Sequence, residues 1–214
     1  MRALIGLCLF LTSILAYGEE LDVIYLDKLA SQQKYEEVYK AMQHIQNNDE
    51  KAINWLRSHA NEWHPPLLHL LSLILFEKAI ISPSQTLVTE QSQAYARSKT
   101  TFYIDKADCV VRTPQMMNKF EEINLANIPI EDQMRPYPKS IYIIGGDALQ
   151  WAINTLKLRG GLLAPPAIWL CGEGNIKPDT ERQNARAIAL QELATQLLMG
   201  YRDATSQNPS EKNQ

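Results

Sequence analysis

"ANEWHPPLLHLLSLILFEKA", residues Ala60 to Ala79, is the most hydrophobic internal stretch of the chain, and its reading decides the fold. From Leu67 to Phe76 only His69 and Ser72 interrupt the apolar run. As a helix that run would rise roughly 15 Å, half the hydrocarbon thickness of a bilayer. Pro65-Pro66 opens the segment where a missing N–H costs least, and Glu77-Lys78 ends its apolar part. The stretch therefore predicts an interior helix, apolar nearly all round, that needs neighbours on most of its sides.

The flanking sequence supplies those neighbours. Upstream, Ile53, Leu56, Ala60 and Trp63 recur at spacings of three and four behind an Asn/Asp cap cluster at Asn47 to Asp49. Before that, Val38, Met42 and Ile45 share one face, as do Val23, Leu26 and Leu29. Downstream, Ser82 and Pro83 are expected to open a long polar helix whose apolar positions include Leu87, Ala94, Tyr95, Phe102 and Ile104. Short helices with tight connections predict an all-α fold of stacked antiparallel pairs.

Within this region Ala60, Trp63, Leu67, Leu71 and Ser72 fall at the spacing that opens a Sel-type repeat; Ala60 and Leu71 match it, while Trp63 and Ser72 stand where that pattern has glycine and Leu67 where it has alanine. The chain thus resembles, over residues 35–110, the tetratricopeptide-like helical repeat proteins. The resemblance implies a curved helical surface that binds a protein partner.

The N-terminus reads as a secretory signal. Arg2 precedes an apolar run from Ala3 to Leu15, then come Ala16-Tyr17-Gly18 and Glu19-Glu20. That order predicts a signal peptide over residues 1–18 and a periplasmic or secreted chain with no membrane span after cleavage. One helical domain is expected over 19–203, with sub-regions 19–127 and 139–203 and a disordered tail over 204–214. The formal net charge of -3 gives no concentrated basic surface of the kind nucleic acid requires. Cleavage would remove Cys8 and leave Cys109 and Cys171, which an oxidising compartment favours as one disulfide.

In the second half a helix is expected from Pro114 to about Leu125. A loop carrying Pro129, Pro136 and Pro138 would follow and join the two sub-regions. Ile141 to Ile144 is β-branched and aromatic enough to predict a short strand, or the end of a helix. Asp147 is a natural cap for a helix from Ala148 to Arg159, which Gly160-Gly161 would stop. Asp179 or Thr180 should cap the last helix, which runs to about Tyr201 with Ala185, Ile188, Ala189 and Leu193 on one face.

Candidate chemistry is sparse. Gly145-Gly146-Asp147 lacks the third glycine of a dinucleotide-binding turn, and its acid would repel phosphate. His44, His59, His64 and His69 lack the spacing of a zinc site. The pairs Glu36-Glu37 and Glu121-Glu122 sit among lysines, as solvated helix faces do, and adjacent helix positions diverge by about 100°. No catalytic, metal or cofactor residue is expected.

The sequence therefore predicts a non-enzymatic, exported, protein-binding helical protein, with an immunity-type inhibitor that occludes the active site of an envelope-acting bacterial toxin as the expected role. Tyr137, Tyr142 and Trp169, in or near loops, are the candidate partner-binding anchors. The alternatives are an enzyme acting on envelope glycan or peptidoglycan, and a scaffold component of a secretion or envelope assembly.

Overall fold

The structure is a computed structural model, and it describes residues 22–42, 50–111 and 113–206. The signal segment 1–18, the cap cluster at 47–49, Ile45, His44 and residues 207–214 of the expected tail lie outside the described residues. The elements are α1 (Val23–Ser31), α2 (Tyr35–Met42), α3 (Glu50–Ser58), α4 (Pro65–Ile81) and α5 (Gln85–Lys106). They continue with α6 (Pro114–Met134), α7 (Pro138–Leu158), a 3-10 turn (Gly161–Leu163), α8 (Ile168–Cys171) and α9 (Asp179–Ser206). The fold is all-α. Among the described residues the one sheet-like pairing is an isolated antiparallel bridge between Cys109 and Ile176.

The opening stretch is the interior helix that its composition demands. Pro65 and Pro66 occupy the first turn of α4, and Ser82 closes the helix by donating its N–H to the Lys78 carbonyl. Leu67, Leu71 and Leu75 are buried with Leu26, Leu29, Val38, Ile53 and Leu56 of α1 to α3. Burying such side chains contributes roughly 1.5–3 kcal/mol each, and this supplies the core of the first half. No described helix is long and apolar enough to cross a membrane. On its other side α4 packs along α5, which starts two residues later than expected. Ser84, not Ser82, is its cap, accepting from the Leu87 N–H.

Four expectations are corrected. Ile141 to Ile144 is not a strand but part of α7, which starts at Pro138. Ile141 and Ile144, three apart, pack on Tyr95, Ile130 and Met134, so helical spacing on a ready apolar surface overrides β-branched preference. The long proline loop is also absent: α6 runs through Pro129 to Met134, because fully buried Ile130 and largely buried Met134 anchor its end. Asp147 accordingly sits inside a helix and is not a cap. Helix α9 likewise extends to Ser206, into the expected tail.

The pairing of α7 with α9 uses two glycines. A Cβ on Gly145 would come 2.6 Å from Leu197 Cδ2, and one on Gly200 would overlap the Tyr142 ring at Cε1. Of the GGD stretch, Gly145 alone lies in the close approach of the two helices, while Gly146 and Asp147 are exposed. Cys109 and Cys171 stand at disulfide distance, their sulfurs 2.07 Å apart, tying the end of α5 to α8.

Candidate functional site

Beneath α8 lies a buried polar centre. Asp108 is 0% exposed and Arg186 is 1% exposed in their side chains. Arg186 Nε donates to Asp108 Oδ1 at 2.7 Å and Nη2 donates to Oδ2 at 2.7 Å. The same guanidinium donates to the carbonyls of Leu162, Ala164 and Pro165, which engages all five of its N–H groups. The Ala167 N–H adds a bond to Asp108 Oδ2 at 2.9 Å. Beside it, Asp105 is held by two indoles, Trp63 Nε1 on Oδ1 and Trp169 Nε1 on Oδ2, both at 2.9 Å. Burial, aided by the neighbouring Asp108 charge, lifts the Asp105 carboxyl to about 6; the indole bonds and Arg186 pull the other way. Every one of these groups is engaged with the protein, so the centre fastens the segment between α7 and α9 onto α5.

A second hydrogen-bonded chain fixes α2. His64 Nε2 lies 3.0 Å from Glu62 Oε2, and His64 Nδ1 lies 2.6 Å from the Tyr35 hydroxyl. A carboxylate only accepts, so Nε2 carries the ring proton and Tyr35 donates to Nδ1. Burial holds His64 below its ordinary value and pushes the Tyr35 phenol far above its own. Tyr35 therefore stays a neutral donor.

Between α2, α4, α6 and α8 an open groove of about 770 Å³ remains. Its floor is Pro66, His69, Leu70 and Leu73 of α4 with Ile123 and Ala126 of α6. Tyr35, Tyr39 and Trp169 add aromatic wall. The Tyr39 hydroxyl donates to the Pro66 carbonyl at 2.7 Å. Lys119 bridges from α6: its ammonium donates to the Trp169 carbonyl at 2.6 Å, lies 5.8 Å from that indole's centre, and stands 3.4 Å from Glu36. Lys34, Glu37, Lys40 and Glu122 complete the rim.

Two side chains along the groove carry unmet polar atoms. His69 is 7% exposed and its Nδ1 has no hydrogen-bond partner among the described residues. Burial alone pulls its pKa down to about 4, so it is neutral at pH 7. Gln33 donates through Nε2 to the Pro166 carbonyl at 3.2 Å, while its Oε1 is unpartnered. Gln33 also holds a φ of 56°, a left-handed conformation that costs a residue with a Cβ roughly 1–2 kcal/mol. Strain of this kind collects at functional sites.

The expected anchors are scattered. Trp169 reaches the groove, but its N–H is committed to Asp105. Tyr142 packs across Gly200, and Tyr137, 66% exposed, caps α7 away from the groove. Glu36 and Glu37 stand on the rim, as does Glu122, whereas Glu121 does not line it. No group of His, Cys, Asp and Glu suited to a metal ion occurs among the described residues. Sequence reasoning missed Tyr35, Tyr39 and Lys119, although Lys119, Glu122, Ile123 and Ala126 carry the spacing of one helix face.

The chain matches no protein-family model, no curated protein and no solved structure.

Proposed function

We propose that this is an exported, non-catalytic protein that binds another protein through the groove between α2, α4, α6 and α8. Within that class the role we assign is an immunity-type inhibitor of an envelope-acting toxin. The observation that carries the reading is the composition of the groove: an aliphatic floor, aromatic walls, and a rim holding both lysine and glutamate. Such a surface suits a polypeptide, whose apolar side chains seat on the floor while its flanks meet the rim. The carboxylates with the deepest burial, Asp105 and Asp108, are spent on indoles and a guanidinium, which supports a packing role for them. Inhibition then follows from bulk, since a partner held in the groove has the helical body lying across its own surface.

The test is affinity capture from an envelope extract with three proteins: wild type, Ala126→Trp, which fills the groove, and Ile188→Trp, on an exposed part of α9. One stoichiometric protein partner should be retained by the wild type and Ile188→Trp and lost by Ala126→Trp. Capture that survives Ala126→Trp, or retention of a cell-wall fragment in place of a protein, contradicts the proposal.

A further inference from the structure

The lining selects the shape of what fills the groove. α4 lines it with Pro66, His69, Leu70 and Leu73, and α6 with Lys119, Glu122, Ile123 and Ala126. Both sets follow i, i+3, i+4, i+7, the stripe a helix turns toward a neighbouring helix. Each stripe spans seven residue steps, about 10.5 Å at 1.5 Å per residue, or two turns. Two such stripes flank one open groove, so a third helix laid between them meets both.

Charge sets the polarity of the occupant. On the rim, Lys34 lies 4.0 Å from Glu37, and Lys119 lies 3.4 Å from Glu36. Lys40 on the α2 lip and Glu122 on the α6 lip have no ion pair among the described residues. An incoming helix with an acid on the α2 side and a base on the α6 side would satisfy both.

Building on the protein-binding reading, we infer that the groove receives a short amphipathic helix of the partner, of low net charge. Its apolar residues at i, i+3 and i+7 seat between α4 and α6, an acidic flank faces Lys40, and a basic flank faces Glu122. This is helix-in-groove recognition.

The test uses fluorescently labelled 14-residue peptides, stapled as helices, with Leu, Phe or Met at i, i+3 and i+7, Glu on one flank and Arg on the other. Controls are a proline-broken version and a version with the flanks exchanged. Fluorescence anisotropy against the full protein should show the stapled helix binding at least tenfold more tightly than the broken one. Ala126→Trp should abolish binding. The rim variant Lys40→Glu/Glu122→Lys, which leaves the core untouched, should lose at least tenfold for the original peptide and regain it for the exchanged one.

Equal binding of the broken peptide, no binding by any helix, no response to the charge exchange, or displacement by N-acetylglucosamine oligomers overturns the helix assignment. If the envelope capture loses its partner with Ala126→Trp while the helices fail here, the helix inference falls and the protein-binding reading stands. If capture is indifferent to Ala126→Trp, the reading itself falls.

Discussion

Replacing Arg186 by Met tests the buried polar centre most severely. The substitution keeps much of the side-chain volume and removes five hydrogen bonds: two to Asp108 and three to the carbonyls of Leu162, Ala164 and Pro165. Breaking a buried ion pair from one side costs about 3–5 kcal/mol, because the remaining charge is left uncompensated. Each carbonyl deprived of its donor adds about 1 kcal/mol or more where water does not reach it. The total, about 6 kcal/mol or above, approaches the whole stability of an ordinary domain. Arg186→Met/Asp108→Leu removes the orphaned charge as well and should recover about 2–3 kcal/mol of the loss, leaving the unsatisfied carbonyls and the Ala167 N–H. Urea unfolding at pH 7, with the cysteine pair oxidised, reports both values through tryptophan fluorescence, since Trp63 and Trp169 both bond Asp105. A loss under about 1 kcal/mol for Arg186→Met would refute the reasoning, as would a double variant no more stable than the single one.

Other outcomes follow from named contacts. His69, neutral at pH 7 with a pKa near 4 against an ordinary 6.5, contributes stability that is present above pH 6.5 and lost as the pH falls toward 4. That loss amounts to about 3 kcal/mol, so His69→Gln should flatten the acid limb of the stability curve by that amount; parallel curves would contradict it. Asp105, raised to about 6 from 3.8, acts in the opposite direction. Its stabilisation is complete below pH 3.8 and lost as the pH rises through 6, so Asp105→Asn should steepen the acid loss in the same titration. Gly200→Ala should gain nothing in thermal stability although alanine is favoured in helices by about 1 kcal/mol, because Tyr142 stands in the way. In a Tyr142→Ala background the same change should recover that gain. Removing both cysteines should cost about 4 kcal/mol by chain-entropy reasoning for a 62-residue separation, measured by urea unfolding.

Much of the fold was legible because it depends on local periodicity. α4 follows from an apolar run bounded by prolines, and α1 to α3 follow from spacings of three and four. The misreadings share one cause: long-range contacts decide where local preference is ambivalent. Ile141 to Ile144 suits a strand until α5 and the end of α6 offer a surface at helical spacing. Pro129 marks a loop until Ile130 and Met134 bury beyond it. In α9 the buried face is led not by Ile188, which is exposed, but by Arg182, Arg186 and Ala189. A buried arginine is invisible until its carboxylate, 78 residues earlier in the chain, is placed beside it. The groove was legible only in fragments, since four segments that never adjoin in sequence line it. Its one trace was the mixed stripe on α6, where Ile123 and Ala126 share a face with Lys119 and Glu122.

The measurement that bears most directly on the groove as a docking site is a backbone amide chemical-shift map, recorded as the stapled helical peptide is titrated into the isotope-labelled protein. Perturbations should centre on Tyr39, Leu70, Leu73, Ile123 and Ala126, with Tyr137 and the exposed end of α9 unmoved. Shifts centred instead on Tyr137, Ile143 and Leu198, with the groove residues silent, would contradict docking in the groove.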